Sequence, residues 1–310
     1  MRKAQFIINP SAGGGKGKKL FPFLVAKTKD LGLAADWAFP QQPREALDIA
    51  LDAQKRGCDL LVACGGDGTI HALLPALVNQ PATLGILPLG TANDLARSWQ
   101  LPFDPNQAMD LLVQGRPKAV DVIATLSGDY IAGALGIGFD AAVVKRAQRL
   151  RRFCQGFLPF YLAIGVEFFR YRPPWVSVRT GDWQYEGRAW QILVTKIPRY
   201  ASLLKITSAI RPDNGSMRIC LVPGLTKHHI LWSFPSLLFL GLRKLPGTFF
   251  LSAPQVSVSS SPPLGIHGDG DWIGKTPITL NLLPQALKVL MPPSRQNGAE
   301  EKTGIFSCGQ

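Results

Sequence analysis

The sequence predicts two domains, an α/β domain on a parallel sheet with helices on both faces and an antiparallel β-sandwich. Three observations carry this reading. In the first 95 residues apolar runs are followed by glycine-rich turns and helical patterns, and strand, glycine turn and helix in repetition build a doubly wound sheet. From about residue 120 short β-like runs alternate with turns, the texture of a sandwich. A chain of 310 residues, 46% hydrophobic and 18% charged, suggests two domains and buries a large core, which excludes a disordered tail or a disulfide-stapled miniprotein.

Residues 4–9 (AQFIIN) read as a short buried strand entering a glycine- and lysine-rich loop, and 19–31 as a helix. Residues 43–57 (PREALDIALDAQKRG) carry apolar side chains at helical spacing and a glycine stop, and 58–64 (CDLLVAC) form a continuous apolar strand. The turn Gly65-Gly66-Asp67-Gly68-Thr69 follows, then a helix over 70–78, a strand over 83–88, and Gly90-Thr91-Ala92-Asn93-Asp94 opening another helix. A ligand site belongs at the carboxyl ends of these strands. Strands 119–124, 130–134, 175–179, 189–195, 217–222, 255–259, 278–282 and 288–291 make the second domain. The expected domains are 1–120 and 121–292, with a basic helical insertion at 141–172 and a polar tail at 293–310.

The net charge of +13, from 34 Lys+Arg and 21 Asp+Glu, is unevenly spread. Between residues 141 and 250 there are 17 basic and 4 acidic side chains, so the excess lies in that block. It is densest at Lys145, Arg146, Arg149, Arg151 and Arg152, just before the aromatic apolar stretch from Phe153, and returns at Arg170, Arg172, Arg243 and Lys244. Such clusters describe a surface that lies on anionic lipid, at roughly 1 kcal/mol per well-placed cation; a solvated basic helix face is the plain alternative. No nucleic-acid signature accompanies the charge. Five scattered cysteines without a CxxC pair indicate neither a disulfide framework nor a zinc site. No stretch reaches the roughly 20 apolar residues of a spanning helix, and the N-terminal run is too short for a signal peptide. The expectation is a cytoplasmic protein peripherally associated with the inner membrane face. The histidines, His71, His228, His229 and His267, show no metal spacing; His71, in the helix after GGDGT, and His267, before the acidic turn, read as structural, with contact to phosphate as the open alternative for both.

Glycine turns ahead of helices form anion cradles, because a side chain would block the close approach of a phosphate. The loop at 9–18 matches a Walker loop only loosely, since Gly17-Lys18 is followed by Lys19 rather than a hydroxyl residue, and a simple flexible loop remains open there. Gly136-Ile137-Gly138-Phe139-Asp140-Ala141 fits GxGxxA, a weak signal alone. Gly65 to Thr69 is richer, combining phosphate-compatible backbone with a carboxylate and a hydroxyl.

GGDGT after an apolar strand, followed about 20 residues on by GTAND, resembles the diacylglycerol kinase catalytic domain family, which includes bacterial lipid kinases and sphingosine and ceramide kinases. Asn9-Pro10, Val120-Asp121-Val122, the GIGFDA segment, 215–222 and Asp269-Gly270-Asp271 extend the likeness over residues 7 to about 291. The resemblance implies an ATP- and Mg²⁺-dependent lipid kinase of phospholipid metabolism, with ATP between an α/β domain and a sandwich and a hydroxyl-bearing lipid such as diacylglycerol as acceptor. Asn9, Gly65, Gly66, Asp67, Gly68 and Thr69 would wrap the phosphates, and Gly90, Thr91, Asn93 and Asp94 would close the pocket. Asp271, with aspartate in place of the commoner glutamate, would accept the proton. Asp269 and Asp271 lie two apart on one face, and with Asp67 three carboxylates are expected to converge on Mg²⁺ and the hydroxyl.

Two positions depart from the pattern. The turn that would hold a structural Mg²⁺ reads Asp213-Asn214-Gly215-Ser216. Asn214 gives one neutral carbonyl, a weak ligand for a hard dication, unless Asp213 shifts into its place; Asp213, Asn214 and Ser216 are the candidate ligands. A glycine-rich stretch before that turn is replaced by residues 196–202 (KIPRYAS). Two further readings stay open: a soluble kinase of the NAD kinase type, which shares GGDGT, and a lipid-binding protein that has lost activity.

Overall fold

The computed structural model describes residues 3–150, 152–154, 156, 158–200, 204–206, 210–232 and 245–293. Arg151, Arg243, Lys244 and the expected tail beyond 293 lie outside them. The first layer contains β1 (Lys3–Ile8), a 3₁₀ turn (Ala12–Gly14), α1 (Lys16–Asp30), β2 (Ala34–Ala38), α2 (Pro43–Lys55), β3 (Leu60–Gly65), α3 (Asp67–Leu77), β4 (Thr83–Pro88), α4 (Asp94–Ser98) and α5 (Pro105–Gln114). Its strands run parallel in the order β2-β1-β3-β4.

Continuous apolar strands are required because both faces of this sheet are covered. Phe6, Ile8, Leu60 and Val62 point to one side, where Leu24 of α1 and Met109 and Leu112 of α5 meet them. Ile7, Leu61 and Ala63 point to the other, against Ala46 and Ala50 of α2 and Leu73 and Leu77 of α3. Each fully buried large side chain contributes about 1.5–3 kcal/mol. Trp37 of β2 stacks on Phe6 with ring centroids 4.3 Å apart, covering the sheet edge.

The chain continues through β5 (Arg116–Thr125), β6 (Tyr130–Ile131), β7 (Ala134–Gly138), α6 (Phe139–Leu150), α7 (Leu158–Arg170), β8 (Trp175–Thr180), β9 (Trp183–Thr195), β10 (Arg199–Tyr200), β11 (Leu204–Lys205), β12 (Met217–Pro223), β13 (Phe249–Ala253), β14 (Gln255–Ser261), β15 (Gly265–Gly268), β16 (Asp271–Lys275) and β17 (Ile278–Met291). These strands pair antiparallel around a second core of Val176, Val178, Leu135, Ile192, Ile219 and Val256. Residues 184–188 of β9 pair with β8, and residues 191–195 pair with β7 and β12, so one strand serves both faces of the sandwich.

β17 joins the layers. Its first part pairs with β14 and β5, and after a register break between Leu283 and Leu287 it pairs with β5 and, at Lys288 and Val289, parallel with β4. The last strand among the described residues thus completes the first sheet, which the sequence pattern alone did not reveal.

The basic segment forms the helical pair α6 and α7, which pack on each other and are tied by an Arg146 to Glu167 ion pair of 2.5 Å. Trp190, almost fully buried, takes Phe139, Phe168 and Tyr171 around its ring, and its Nε1 donates to the Leu225 carbonyl at 2.7 Å. This aromatic cluster fixes the helical pair to the sandwich.

Leu287 has no exposed surface and sits in the core shared by β4, α3 and β17. Leu287→Ala is expected to lower stability by about 2–4 kcal/mol, read as a lower urea midpoint with an unchanged slope.

Candidate active site

The strands β3 and β4 end side by side, and their glycine turns meet backbone to backbone. A Cβ on Gly90 would overlap the Gly66 Cα, and a Cβ on Gly66 would lie 3.1 Å from the Gly90 Cα. Only glycine at both positions permits this approach. Leu89 and Gly90 both donate their N–H to the Gly65 carbonyl, at 2.8 and 3.2 Å.

Asp67 fastens the two turns. Its Oδ2 accepts the Asp94 N–H and its Oδ1 the Leu95 N–H, each at 3.0 Å, so the carboxylate caps α4 from the neighbouring turn. Asn93 adopts a left-handed conformation (φ 52°) and closes its own turn. Its Oδ1 accepts from the Gly90 N–H at 3.0 Å and its Nδ2 donates to the Gly90 carbonyl at 2.9 Å. Asn9, at the end of β1, donates from Nδ2 to the Thr69 hydroxyl at 3.3 Å and accepts from the Ser11 N–H at 3.0 Å. Gly68 and the Thr91 side chain remain exposed at the mouth of the cleft. The N-terminus of the eleven-residue α3 opens into the same space, where its free N–H groups favour an anion.

The acidic turn arrives from the sandwich. Asp269 (φ 50°) is buried, and its carboxylate accepts three consecutive N–H groups, those of Ala132, Gly133 and Ala134, at 2.8–3.0 Å. The cradle holds the whole turn, and the next acid, Asp271, overhangs GGDGT: its Oδ2 lies 3.5 Å from where a Cβ on Gly68 would stand. The two turns of the first layer and the acid of the second therefore share one cleft.

The expected convergence of three carboxylates takes a different form. Asp67 and Asp269 each have both oxygens engaged by backbone N–H groups, which makes them anchors, and Asp271 faces the glycine turn. Among the described residues no group of three or more His, Cys, Asp and Glu side chains is placed to hold a metal. A Mg²⁺ in this cleft fits only as an ion carried by phosphates that gains one carboxylate, Asp271, because Mg²⁺ keeps most of its own shell.

His71, read from the sequence as structural, sits in the cleft. Its Nδ1 is 3.8 Å from Asp269 Oδ2, too far for a hydrogen bond but close for charge. Burial pulls the His71 pKa down, and Asp269, with Asp271 and Asp129 farther off, more than reverses this and leaves it above the ordinary histidine value. Its place on the first turn after GGDGT was the only signal available in the sequence.

The candidate structural-metal turn is differently arranged. Asp213 is half-buried, its Oδ2 3.2 Å from Lys118 Nζ and its Oδ1 3.6 Å from Arg211 Nε. Asn214 Oδ1 and the Ser216 carbonyl instead accept from the ammonium of Lys196, both at 2.7 Å. The sequence marked residues 196–202 as altered without assigning Lys196 a partner. A structural divalent cation does not fit where that ammonium already stands.

Beside Asp271 a groove of about 540 Å³ opens between α6 and β16, lined by Lys145, Gln148, Arg149, Arg152, Trp272 and Lys275. Lys145 Nζ lies 4.7 Å from the Trp272 ring centre, and Gln148 Nε2 donates to the Gly270 carbonyl at 3.2 Å. The basic insertion is thus fastened to the acidic turn.

Comparison with known proteins gives matching families for both layers. The model of the diacylglycerol kinase catalytic domain matches residues 3–125, and that of the YegS C-terminal NAD kinase beta sandwich-like domain matches residues 133–291. A diacylglycerol kinase of Staphylococcus saprophyticus is 25% identical, over 96% of this chain and 97% of its own length. One from Mycobacterium tuberculosis is 27% identical, over 94% and 95%. The crystal structure of a diacylglycerol kinase from Bacillus anthracis superposes with a TM-score of 0.76 at 21% identity, covering 94% of this chain and 98% of that one, a likeness of fold.

Burial, partly opposed by the Leu95 and Asp94 N–H groups, raises the Asp67 pKa from 3.8 to about 6. The folded protein then holds this proton more tightly than the unfolded chain, so the contribution to stability is complete below pH 3.8 and is lost as pH rises through about 6. The change is on the order of 3 kcal/mol. Asp67→Asn is expected to flatten the decline of stability between these two values, measured by urea titration at stepped pH.

Proposed function

Because the chain belongs to the diacylglycerol kinase catalytic domain family and is a lipid kinase, we propose that it transfers the γ-phosphate of ATP to the free hydroxyl of a membrane lipid of the diacylglycerol type. The observation that carries the proposal is Asp271 Oδ2 standing over Gly68, with the open N-terminus of α3 beneath. Backbone N–H groups of residues 66–68 would hold the phosphates, and the exposed Thr91 hydroxyl would reach them from the second turn. Asp271 would accept the proton as the lipid oxygen bonds to the γ-phosphorus and the bond to the bridging oxygen breaks, releasing ADP. Mg²⁺ carried in with the nucleotide would neutralise the phosphate charge. Positioning and electrostatics dominate such a transfer, which suits a site whose other two acids act as anchors.

Membrane docking belongs to the same proposal. The apolar residues Leu158, Tyr161, Leu162 and Phe169 of α7, and Phe153 before it, are exposed, and the cations Lys145 and Arg149 stand on α6, which packs on α7, with Arg152 just beyond it. Among the described residues no helix is long and apolar enough to cross a membrane. An apolar face rimmed by cations describes a helix lying in the interface, beside the turn that carries Asp271.

With labelled ATP and vesicles containing diacylglycerol, the protein is expected to yield a phosphorylated lipid, and Asp271→Asn to lower kcat by roughly 10²–10⁴ while ATP binding persists. The absence of product from any hydroxyl lipid would refute the proposed reaction. Replacing Lys145, Arg149 and Arg152 together by Ala is expected to weaken sedimentation with anionic vesicles by roughly 10²-fold at low salt, a difference that shrinks as salt is added.

A further inference from the structure

We propose that the ammonium of Lys196 is the resident structural cation of this protein, standing where the family resemblance implies a divalent metal and making that metal unnecessary. The Lys196 and Asp121 side chains are 1% and 0% exposed. From this buried position Nζ donates to Asp121 Oδ2 at 2.8 Å, Asn214 Oδ1 at 2.7 Å and the Ser216 carbonyl at 2.7 Å. An ammonium has three N–H donors and no acceptor, and all three are used.

Asp121 completes the cluster. Its Oδ2 also accepts the Gly215 N–H and its Oδ1 the Gln285 N–H, both at 2.9 Å, while its own N–H donates to the Pro212 carbonyl at 2.8 Å. One lysine and one aspartate therefore bind together β5, the end of β9, the 212–216 turn and the register break of β17. The Lys196 N–H donates to the Gly133 carbonyl at 2.8 Å, and Gly133 also helps to cradle Asp269. The brace thus reaches the acidic turn through a single residue.

Charge balance explains the neutral amide at position 214. One buried ammonium is matched by one carboxylate, Asp121, so a second carboxylate at 214 would leave a net buried negative charge. A divalent cation would reverse this arithmetic and call for the aspartate. Lys196 and Asn214 therefore act as a matched pair, and Asp213 is engaged by Lys118 and Arg211. A Mg²⁺ seeks about six oxygens near 2.1 Å and would have to expel the ammonium to obtain them.

The test uses the full-length protein without nucleotide, melted in excess EDTA and in millimolar Mg²⁺. The wild type is expected to melt at the same temperature in both, within about 1 °C. Lys196→Met is expected to melt roughly 10 °C lower, and Lys196→Met with Asn214→Asp to regain stability in Mg²⁺ but not in EDTA. If the Lys196 variants do not fold, Mn²⁺ titrated into the wild type and followed by electron paramagnetic resonance decides the matter, with no binding site removed by Asn214→Ala expected. A wild-type melting point that falls in EDTA, a Mn²⁺ site lost with Asn214→Ala, or a Lys196→Met protein as stable as the wild type would overturn the proposal. None of these readouts depends on which lipid is phosphorylated.

Discussion

The Asp67 carboxylate, reaching from one glycine turn to the N–H groups of Asp94 and Leu95 in the next, is the contact on which the cleft depends. Together with the Leu89 and Gly90 N–H bonds to the Gly65 carbonyl, it sets the spacing of two parallel strands at their carboxyl ends. The Gly66 and Gly90 backbones can touch only because both lack a side chain, and the carboxylate holds them in that contact. The result is a rim of backbone donors from Gly66 to Gly68, backed by α3. A carboxylate kept this far from water has a raised proton affinity, so geometry and titration follow from the same burial.

The second layer contributes by the same device, an acid held by main-chain donors. Asp269 occupies a nest of three N–H groups and fixes the turn that brings Asp271 over Gly68. Two of the three cleft acids thus hold backbone in place and leave one to face the glycine turn. In the proposed reaction this division suits phosphoryl transfer, which asks for one proton acceptor and accurate placement. β17 makes the placement durable, because a single strand pairs in both layers and limits how far they can separate.

Charge outside the cleft follows a similar economy. Buried Lys196 is matched by buried Asp121, and half-buried Arg146 by Glu167. The unmatched positive charge that gives the chain its high isoelectric point gathers in part on α6 and along the groove beside Trp272. Aromatic anchors around Trp190 keep that helical pair in register with the acidic turn, so a surface suited to anionic lipid lies next to the proposed acceptor site.

The sequence by itself determined the fold class, the strands β1, β3 and β4 with the glycine turns that follow them, and the residue types of the cleft. Those features are local: apolar runs buried on two faces, glycines where backbone approaches backbone, an acid two residues from another. Tertiary structure alone decided that β17 completes the first sheet, that Asp67 and Asp269 are anchors, that His71 lies in the cleft, and that Lys196 fills the turn at Asn214. Each depends on a partner 18 to 205 residues away, as with Lys196 and Asn214 or Lys288 of β17 and Thr83 of β4. Periodicity and motif spacing carry no information about which distant donor a buried carboxylate or carbonyl will find.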